Sequence, residues 1–280
     1  MSTQLADVLA AAHSGKSVVM GILNVTPDSF SDGGQFLDAQ AAATRARQMV
    51  DEGAAIIDIG AESTRPGSRR IGADEQIARL ADVVPAAVAT GAVVSVDTTL
   101  ATVARFALDA GAAIINDISA GRDDLDLLPL VADRDAAIVL MHMQGTPATM
   151  QAAPTYRDVV AEVRKFLAQR LDAAVGAGVA RQRCIIDPGL GFGKRLEHNL
   201  ALLAGAGQLT GLGAPLLIGA SRKRSIGEIT GRDDPARRVF GSIAAALAAR
   251  ARGATIFRVH DVAATVDAMA VFDAVAAGGR

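Results

Sequence analysis

The chain of 280 residues contains one cysteine and no tryptophan, and aromatic residues make up 3% of it. A single thiol excludes an internal disulfide framework and any multi-cysteine metal centre. That thiol, Cys184, lies in the apolar run Cys184-Ile185-Ile186 and reads as a buried, unreactive strand position. So few rings give little to stack on nucleobases, and a formal charge of −2 offers no general attraction to a phosphate backbone, so nucleic acid is not an expected partner. No run approaches the roughly 18 apolar residues of a membrane span. Met1 to His13 lacks a basic segment followed by an apolar core, so a cytoplasmic protein is expected. The four histidines, His13, His142, His198 and His260, have no chelating spacing, and lysine is scarce, with only Lys16, Lys165, Lys194 and Lys223.

What is abundant is small and apolar: 58 Ala, 28 Gly and a hydrophobic fraction of 50%, ample for a large core. Eight short apolar runs read as strands: Val18 to Leu23, Ile56 to Ile59, Val93 to Val96, Ile114 to Ile115, Ala137 to Met141, Cys184 to Ile186, Pro215 to Gly219 and Ile256 to Val259. Their near-continuous hydrophobicity fits parallel strands covered on both faces. Helical patterns lie between and after them: Asp38 to Glu52, Asp74 to Ala89, Leu100 to Ala110, Leu125 to Ala132, Arg157 to Ala177, His198 to Leu203, Pro235 to Ala251 and Val262 to Val275. Gly53, Gly91, Gly111, Gly178 and Gly253 stand where helices need a C-terminal cap. Eight strand–helix alternations without a linker predict an α/β fold, a (β/α)8 TIM barrel spanning 1–280 as one domain. Residues 1–15 are expected to be an extension, either a lid over the closed end or a loose helix. A doubly wound sheet is the competing fold, but no Gly-x-Gly-x-x-Gly follows a strand.

In such a barrel chemistry gathers at the C-terminal ends of the strands. Every run here leads into a polar group: Asn24, Asp58, Asp97, Asn116-Asp117, His142, Asp187, Ser221-Arg222-Lys223, and Arg258 with His260. One Asp or Asn after a strand is ordinary turn chemistry, but eight polar ends aimed at one rim point to a polar ligand. Asn24, Arg65, Arg258 and His260 form a basic and amide group suited to an anion such as phosphate. Asp97, Asn116 and Asp187 form an acceptor-rich group suited to the N–H edge of a nitrogen heterocycle, with Lys223 available for a ring carbonyl. An all-protein metal site is disfavoured, whereas Mg²⁺ carried by phosphate and touched by one or two oxygen ligands fits.

The loops that carry these residues resemble one family closely. The matching segments run from Gly21-Ile22-Leu23-Asn24-Val25-Thr26-Pro27-Asp28-Ser29-Phe30-Ser31-Asp32-Gly33-Gly34 and Asp58-Ile59-Gly60-Ala61-Glu62-Ser63-Thr64-Arg65-Pro66-Gly67 to Ser95-Val96-Asp97-Thr98 and Ile115-Asn116-Asp117-Ile118. They continue with Leu140-Met141-His142-Met143, Ile186-Asp187-Pro188-Gly189-Leu190-Gly191-Phe192-Gly193-Lys194, Ser221-Arg222-Lys223 and Arg258-Val259-His260-Asp261-Val262. In this order they resemble the dihydropteroate synthases of folate biosynthesis over nearly the whole chain. Ala61, Thr99 and Ser225 depart from the usual family residues, and Ser225 lies near the presumed site, where it bears on the packing behind Lys223 or on the subunit contact.

The resemblance implies condensation of 6-hydroxymethyl-7,8-dihydropterin diphosphate with p-aminobenzoate to give 7,8-dihydropteroate and diphosphate. It assigns Asp97, Asn116, Asp187 and Lys223 to the pterin, with Ile118 and Met141 on its faces, and Asn24, Arg65, Arg258 and His260 to the diphosphate, with Asn24 also on Mg²⁺. Thr64, Pro66, Phe192 and Ser221, beside Lys223, would shape the p-aminobenzoate pocket. That pocket would be completed when loops around Asp28, Phe30 and Ser31, and around Ser63 to Arg70, close. Asp97, Asp187, Lys223, Arg258 and His260 would carry the catalysis electrostatically, His260 as a cation. A homodimer is also implied. Two rivals stand beside this reading: a methyltetrahydrofolate methyltransferase, which has no reason to carry the diphosphate set, and a non-catalytic pterin-binding paralogue.

Overall fold

The computed structural model describes residues 3–25, 34–63, 68 and 70–278, without the side chains of 34–39. Eight strands, β1 Val18–Asn24, β2 Ile56–Gly60, β3 Val93–Asp97, β4 Ile114–Asp117, β5 Ala137–Met141, β6 Cys184–Asp187, β7 Leu217–Ile218 and β8 Ile256–Val259, form one sheet in the order β6-β5-β4-β3-β2-β1-β8-β7. All paired strands are parallel. A single parallel bridge, Ile186 to Leu216, joins the two ends, so the sheet curls into a nearly closed barrel. This is the TIM barrel expected, and each strand lies within a few residues of its apolar run.

The helices surround the sheet: α2 Gly34–Asp51, α3 Ala73–Leu80, α4 Val83–Val88, α5 Ala101–Asp109, α6 Leu127–Asp133, α7 Val159–Gly176, α8 Leu196–Ala204, α9 Ala206–Thr210, α10 Arg224–Thr230, α11 Val239–Arg250 and α12 Val262–Gly278. The five glycines expected as caps all take a left-handed φ, between 85° and 102°. The segment expected as one helix over Asp74 to Ala89 is broken into α3 and α4. Pro85 has no N–H to continue the ladder and its ring crowds the carbonyl of Ala81, which ends the first piece. Pro235 to Ala251 likewise starts as a 3₁₀ turn over Pro235–Arg238 before α11. Helix α10 was not anticipated, because its seven residues include Gly227 and carry too short an apolar pattern.

Alternation along each strand separates two cores. Outward residues such as Leu23, Ile57, Val96, Ile115, Leu140, Ile186 and Phe257 pack against the helices. Inward residues at the N-terminal end, among them Met20, Ile56, Val93, Ile114, Val139, Ile185, Leu217 and Ile256, form a separate apolar plug. The first helix, α1 Thr3–His13, lies under that plug and adds Leu5, Leu9 and Ala12, one face at helical spacing. Of the two forms expected for the N-terminal segment, the lid over the closed end is the one observed. Two residues further along β2, β3, β4, β6 and β8, the same inward face turns polar: Asp58 after Ile56, Ser95 after Val93 with Asp97 two further on, Asn116 after Ile114, Asp187 after Ile185 and Arg258 after Ile256. Cys184 faces out into the core, where burial pushes its thiol up to about 11. No described helix is long and apolar enough to cross a membrane.

Candidate active site

At the open end the inward polar residues meet. Arg258 stands in register with Met20, in the apolar layer, and its length carries the guanidinium one layer up. There Nε donates to Asp58 Oδ2 at 2.6 Å and Nη2 to Asp97 Oδ2 at 3.3 Å. Asn116 Nδ2 donates to the same Asp58 oxygen at 3.1 Å. Asp58, fully buried, is therefore a hub that fixes both Arg258 and Asn116, while its Oδ1 and the neighbouring Ser95 Oγ have no hydrogen-bond partner among the described residues. Its inward position two residues after Ile56 was the available signal, but the sequence alone placed no role on it.

This arrangement changes the division of the rim by charge. Arg258, assigned above to the anion side, is also bonded to the acidic side, and it holds Asp58 and Asp97 together against their mutual repulsion. Burial still raises Asp97 above the usual carboxylate range, with Asp58 adding to the effect and Arg258 opposing it. Asp187 is raised for the same first reason, and its Oδ1 accepts from Gly189 N at 2.6 Å. Lys223 Nζ lies 4.3 Å from the centre of the Phe192 ring, and burial together with Arg258 lowers it to about 8. Ile118, Met141, Met143 and Met150, with Phe192 against them, make a small apolar cluster separate from the main cores. It contains both Ile118 and Met141 and adds Met143 and Met150, which sequence reasoning did not single out.

On the other flank, Ser221 Oγ lies 3.0 Å from His260 Nδ1 and accepts from His260 N at 3.1 Å. Ser221 thus holds the imidazole of His260 in place. Burial, then Arg222 and Arg258, lowers His260 to about 4, so in the ligand-free protein the ring is neutral and not the cation expected from the sequence. Arg222, at a φ of 56°, forms a two-point pair with Asp261, which ties the loops after β7 and β8 together. Asp117 points away from the site and accepts from Ser119 N and Gly121 N as a loop cap. Asn24 is half-buried at the end of β1 with its Oδ1 near Gly60. Thr64, Arg65 and Pro66, and the loop residues Asp28, Phe30 and Ser31, lie outside the described residues.

The end of the loop after β2 is anchored by Arg70, which reaches Thr99 Oγ1 at 2.5 Å, Asp123 Oδ2 at 2.9 Å and Glu62 at 3.6 Å. Thr99, one of the departures from the family pattern, is thereby part of a latch. Another, Ala61, is fully buried and its carbonyl accepts from Arg79. The third, Ser225, is half-exposed; the next residue, Ile226, is the buried one that packs against Gly241 of α11.

Comparison with known proteins agrees with the whole of this architecture. The family model of pterin binding enzymes matches residues 20–260. The dihydropteroate synthase of Neisseria meningitidis serogroup B is 49% identical over 264 residues, covering 92% of this chain and 93% of the relative. The structure of Xanthomonas albilineans dihydropteroate synthase with 4-aminobenzoic acid superposes with a TM-score of 0.88 at 50% identity, covering 94% of each chain. The same enzyme in complex with 7,8-dihydropteroate gives 0.84 at 48% identity, again over 94% of each. An acidic and amide pocket at the mouth of a parallel barrel, on a sequence this similar throughout, has one family reading: the chain belongs to the pterin-binding enzymes, among the dihydropteroate synthases.

Proposed function

We propose that the open end of this barrel joins 6-hydroxymethyl-7,8-dihydropterin diphosphate to p-aminobenzoate, releasing diphosphate and 7,8-dihydropteroate. The observation that carries this reading is the buried Asp58–Arg258–Asp97 and Asn116 network beside Asp187, an acceptor-rich pocket preorganised for a ring edge with several N–H groups. Asp97 and Asp187 accept from the pterin, Asn116 supplies an amide, Lys223 covers the ring carbonyl, and Ile118 and Met141 pack on its faces. Guanidinium donors of Arg258 not used on the carboxylates, with neutral His260 and Asn24, face the diphosphate, a role the family resemblance also gives to Arg65. Phe192 and Ser221 wall the second pocket, to which the resemblance also assigns Thr64 and Pro66.

Among the described residues no group of three or more His, Cys, Asp or Glu could hold a metal ion. One amide oxygen at Asn24 suits Mg²⁺ that arrives on the diphosphate, since Mg²⁺ keeps water and substrate oxygens in preference to a protein cage. Bound there, the ion would neutralise charge on the leaving group. The aniline nitrogen is itself the nucleophile: the C–O bond to diphosphate breaks, the C–N bond forms and the aniline proton leaves to solvent. The fixed carboxylates of Asp97 and Asp187 favour positive charge developing on the pterin, so bond breaking runs ahead of attack.

Turnover of purified protein with both substrates and Mg²⁺ tests this, and it separates the synthase from a methyltransferase or a silent paralogue. The rate per unit of pterin substrate should be bell-shaped in pH. On the acid side Asp97, raised by burial to about 7, takes up a proton and ceases to accept, Asp187 is raised by burial in the same direction, and above about 8 Lys223 loses its charge. No dihydropteroate under these conditions would remove the proposal, and a flat profile from pH 5 to 9 would remove these three groups from it.

A homodimer is part of the same reading. Ile229 of α10, Phe240 of α11, and Val271 and Val275 of α12 are large, apolar and exposed, Phe240 at 87%, on successive helices of one side. Light scattering at twice the monomer mass is the expected result, and a monomer at micromolar concentration would refute it.

A further inference from the structure

Lys194 is buried at 3% exposure, and no carboxylate lies within ion-pair distance of it among the described residues. From the sequence it reads as either a surface residue or a loop anchor, and its burial selects the anchor. Its three ammonium donors meet three acceptors: His142 Nδ1 at 2.9 Å, the Phe192 carbonyl at 2.9 Å and the His142 carbonyl at 3.3 Å. Burial lowers Lys194 to about 7, with the Asp187 charge opposing the shift, so an amine kept here among neutral hydrogen-bond acceptors is costly to hold charged and its place calls for a use. The His142 ring is suited to accept: burial and Lys194 lower it to about 3, leaving Nδ1 unprotonated, and it packs edge-on against Phe166.

What these bonds join is the loop after β6 and the segment after β5. The loop, Gly189 to Gly193, presses backbone to backbone on that segment. A side chain at Gly189 would place its first carbon 1.9 Å from the His142 carbonyl oxygen, and one at Gly193 would place it 2.4 Å from that of Gln144. Tyr156 Oη donates to the Gly193 carbonyl at 2.8 Å and Gln151 Nε2 to that of Gly191 at 2.6 Å. Phe192 is the one large side chain this loop presents to the site. Its backbone is fixed by Lys194, and its ring is fixed between the Ile118–Met141–Met143–Met150 cluster and Lys223.

We propose that Lys194 is a positioning residue for the second substrate: by holding the Phe192 carbonyl against the His142 segment it sets the ring that walls the p-aminobenzoate pocket. This rests on the reading of the function given above. The pterin acceptors Asp97 and Asn116 stand on β3 and β4, outside the loop, and Asp187 is held by its backbone in β6 with its one bond to the loop at Gly189, the end away from Lys194, so the clamp bears on the ring of Phe192 more than on the pterin.

The experiment is steady-state kinetics of Lys194→Met, which keeps the volume and removes the donors. The KM for p-aminobenzoate should rise about tenfold or more, with the KM for the pterin diphosphate within about twofold and kcat reduced by less than about tenfold. Equal rises in both KM values, a fall confined to kcat, or an unchanged KM for p-aminobenzoate would each overturn the proposal. If that variant does not fold, Tyr156→Phe decides. It removes one bond from the same loop and should raise only the p-aminobenzoate KM, by about two- to fivefold, and no change there counts against the clamp. Absence of turnover in the unmutated protein would instead refute the functional reading, which keeps the two failures apart.

Discussion

Asp187→Asn should lose pterin binding by at least about a hundredfold, measured by calorimetry with the dihydropterin substrate or a stable analogue. Asp187 Oδ1 already accepts from Gly189 N, and an asparagine keeps that bond by placing its oxygen there. The amide NH₂ must then occupy the position of the second carboxylate oxygen, turned toward the ring. A charge-assisted acceptor is thus exchanged for a donor facing another donor, which is worse than a simple loss of one bond. Because Asp187 lies at the end of β6 with its backbone in the sheet, the change should leave the fold intact. An affinity within about threefold of the parent would show that Asp187 serves the Gly189 turn and not the pterin.

Arg258→Met should be the more damaging substitution, because it acts on stability and turnover together. It leaves Asp58 and Asp97 buried side by side without their cation, and removal of one partner from such a pair costs about 3–5 kcal/mol. Loss of the donors toward the diphosphate adds to this, so turnover should fall by about a thousandfold or more. The stability loss carries a pH signature. A carboxylate whose folded pKa is raised above its unfolded value contributes stability that is present at low pH and is lost as pH rises through the folded pKa. Asp97 is already raised, and without Arg258, which opposes the shift, it rises further. The gap in melting temperature between variant and parent should therefore be widest near pH 8 and narrow toward pH 5. A gap independent of pH would mean that Arg258 supports the barrel by packing alone.

The strands were legible because each is a continuous apolar run, and the rim was legible because period two carries a polar residue to the end of most of them, β5 with Met141 being an exception. Which rim residues touch was not. Arg258 and Asp58 stand 200 positions apart, and only the curvature of the sheet, with the reach of an arginine from one layer to the next, brings them together. The neutral state of His260 depends first on its burial and then on Arg222, which arrives from the loop after β7, whereas Arg258 belongs to its own strand. Lys194 sits in a glycine-rich loop whose sequence leaves a surface residue and a loop anchor equally open, and the anchor follows from contact with a histidine 52 positions earlier. Pattern fixes the direction of a side chain along its own strand, whereas partners across the barrel are a property of closure.

The helix beneath the barrel gives the enzyme a chamber with one door. With Leu5, Leu9 and Ala12 seated on the inward apolar layer, there is no passage through the axis. Both reactants must enter, and both products leave, by the mouth that the loops surround. In the binding mode proposed above, with the pterin deep and the aminobenzoate outward, dihydropteroate would block the entrance to the next pterin for as long as it stays, and its release would then bound turnover however fast the chemistry inside.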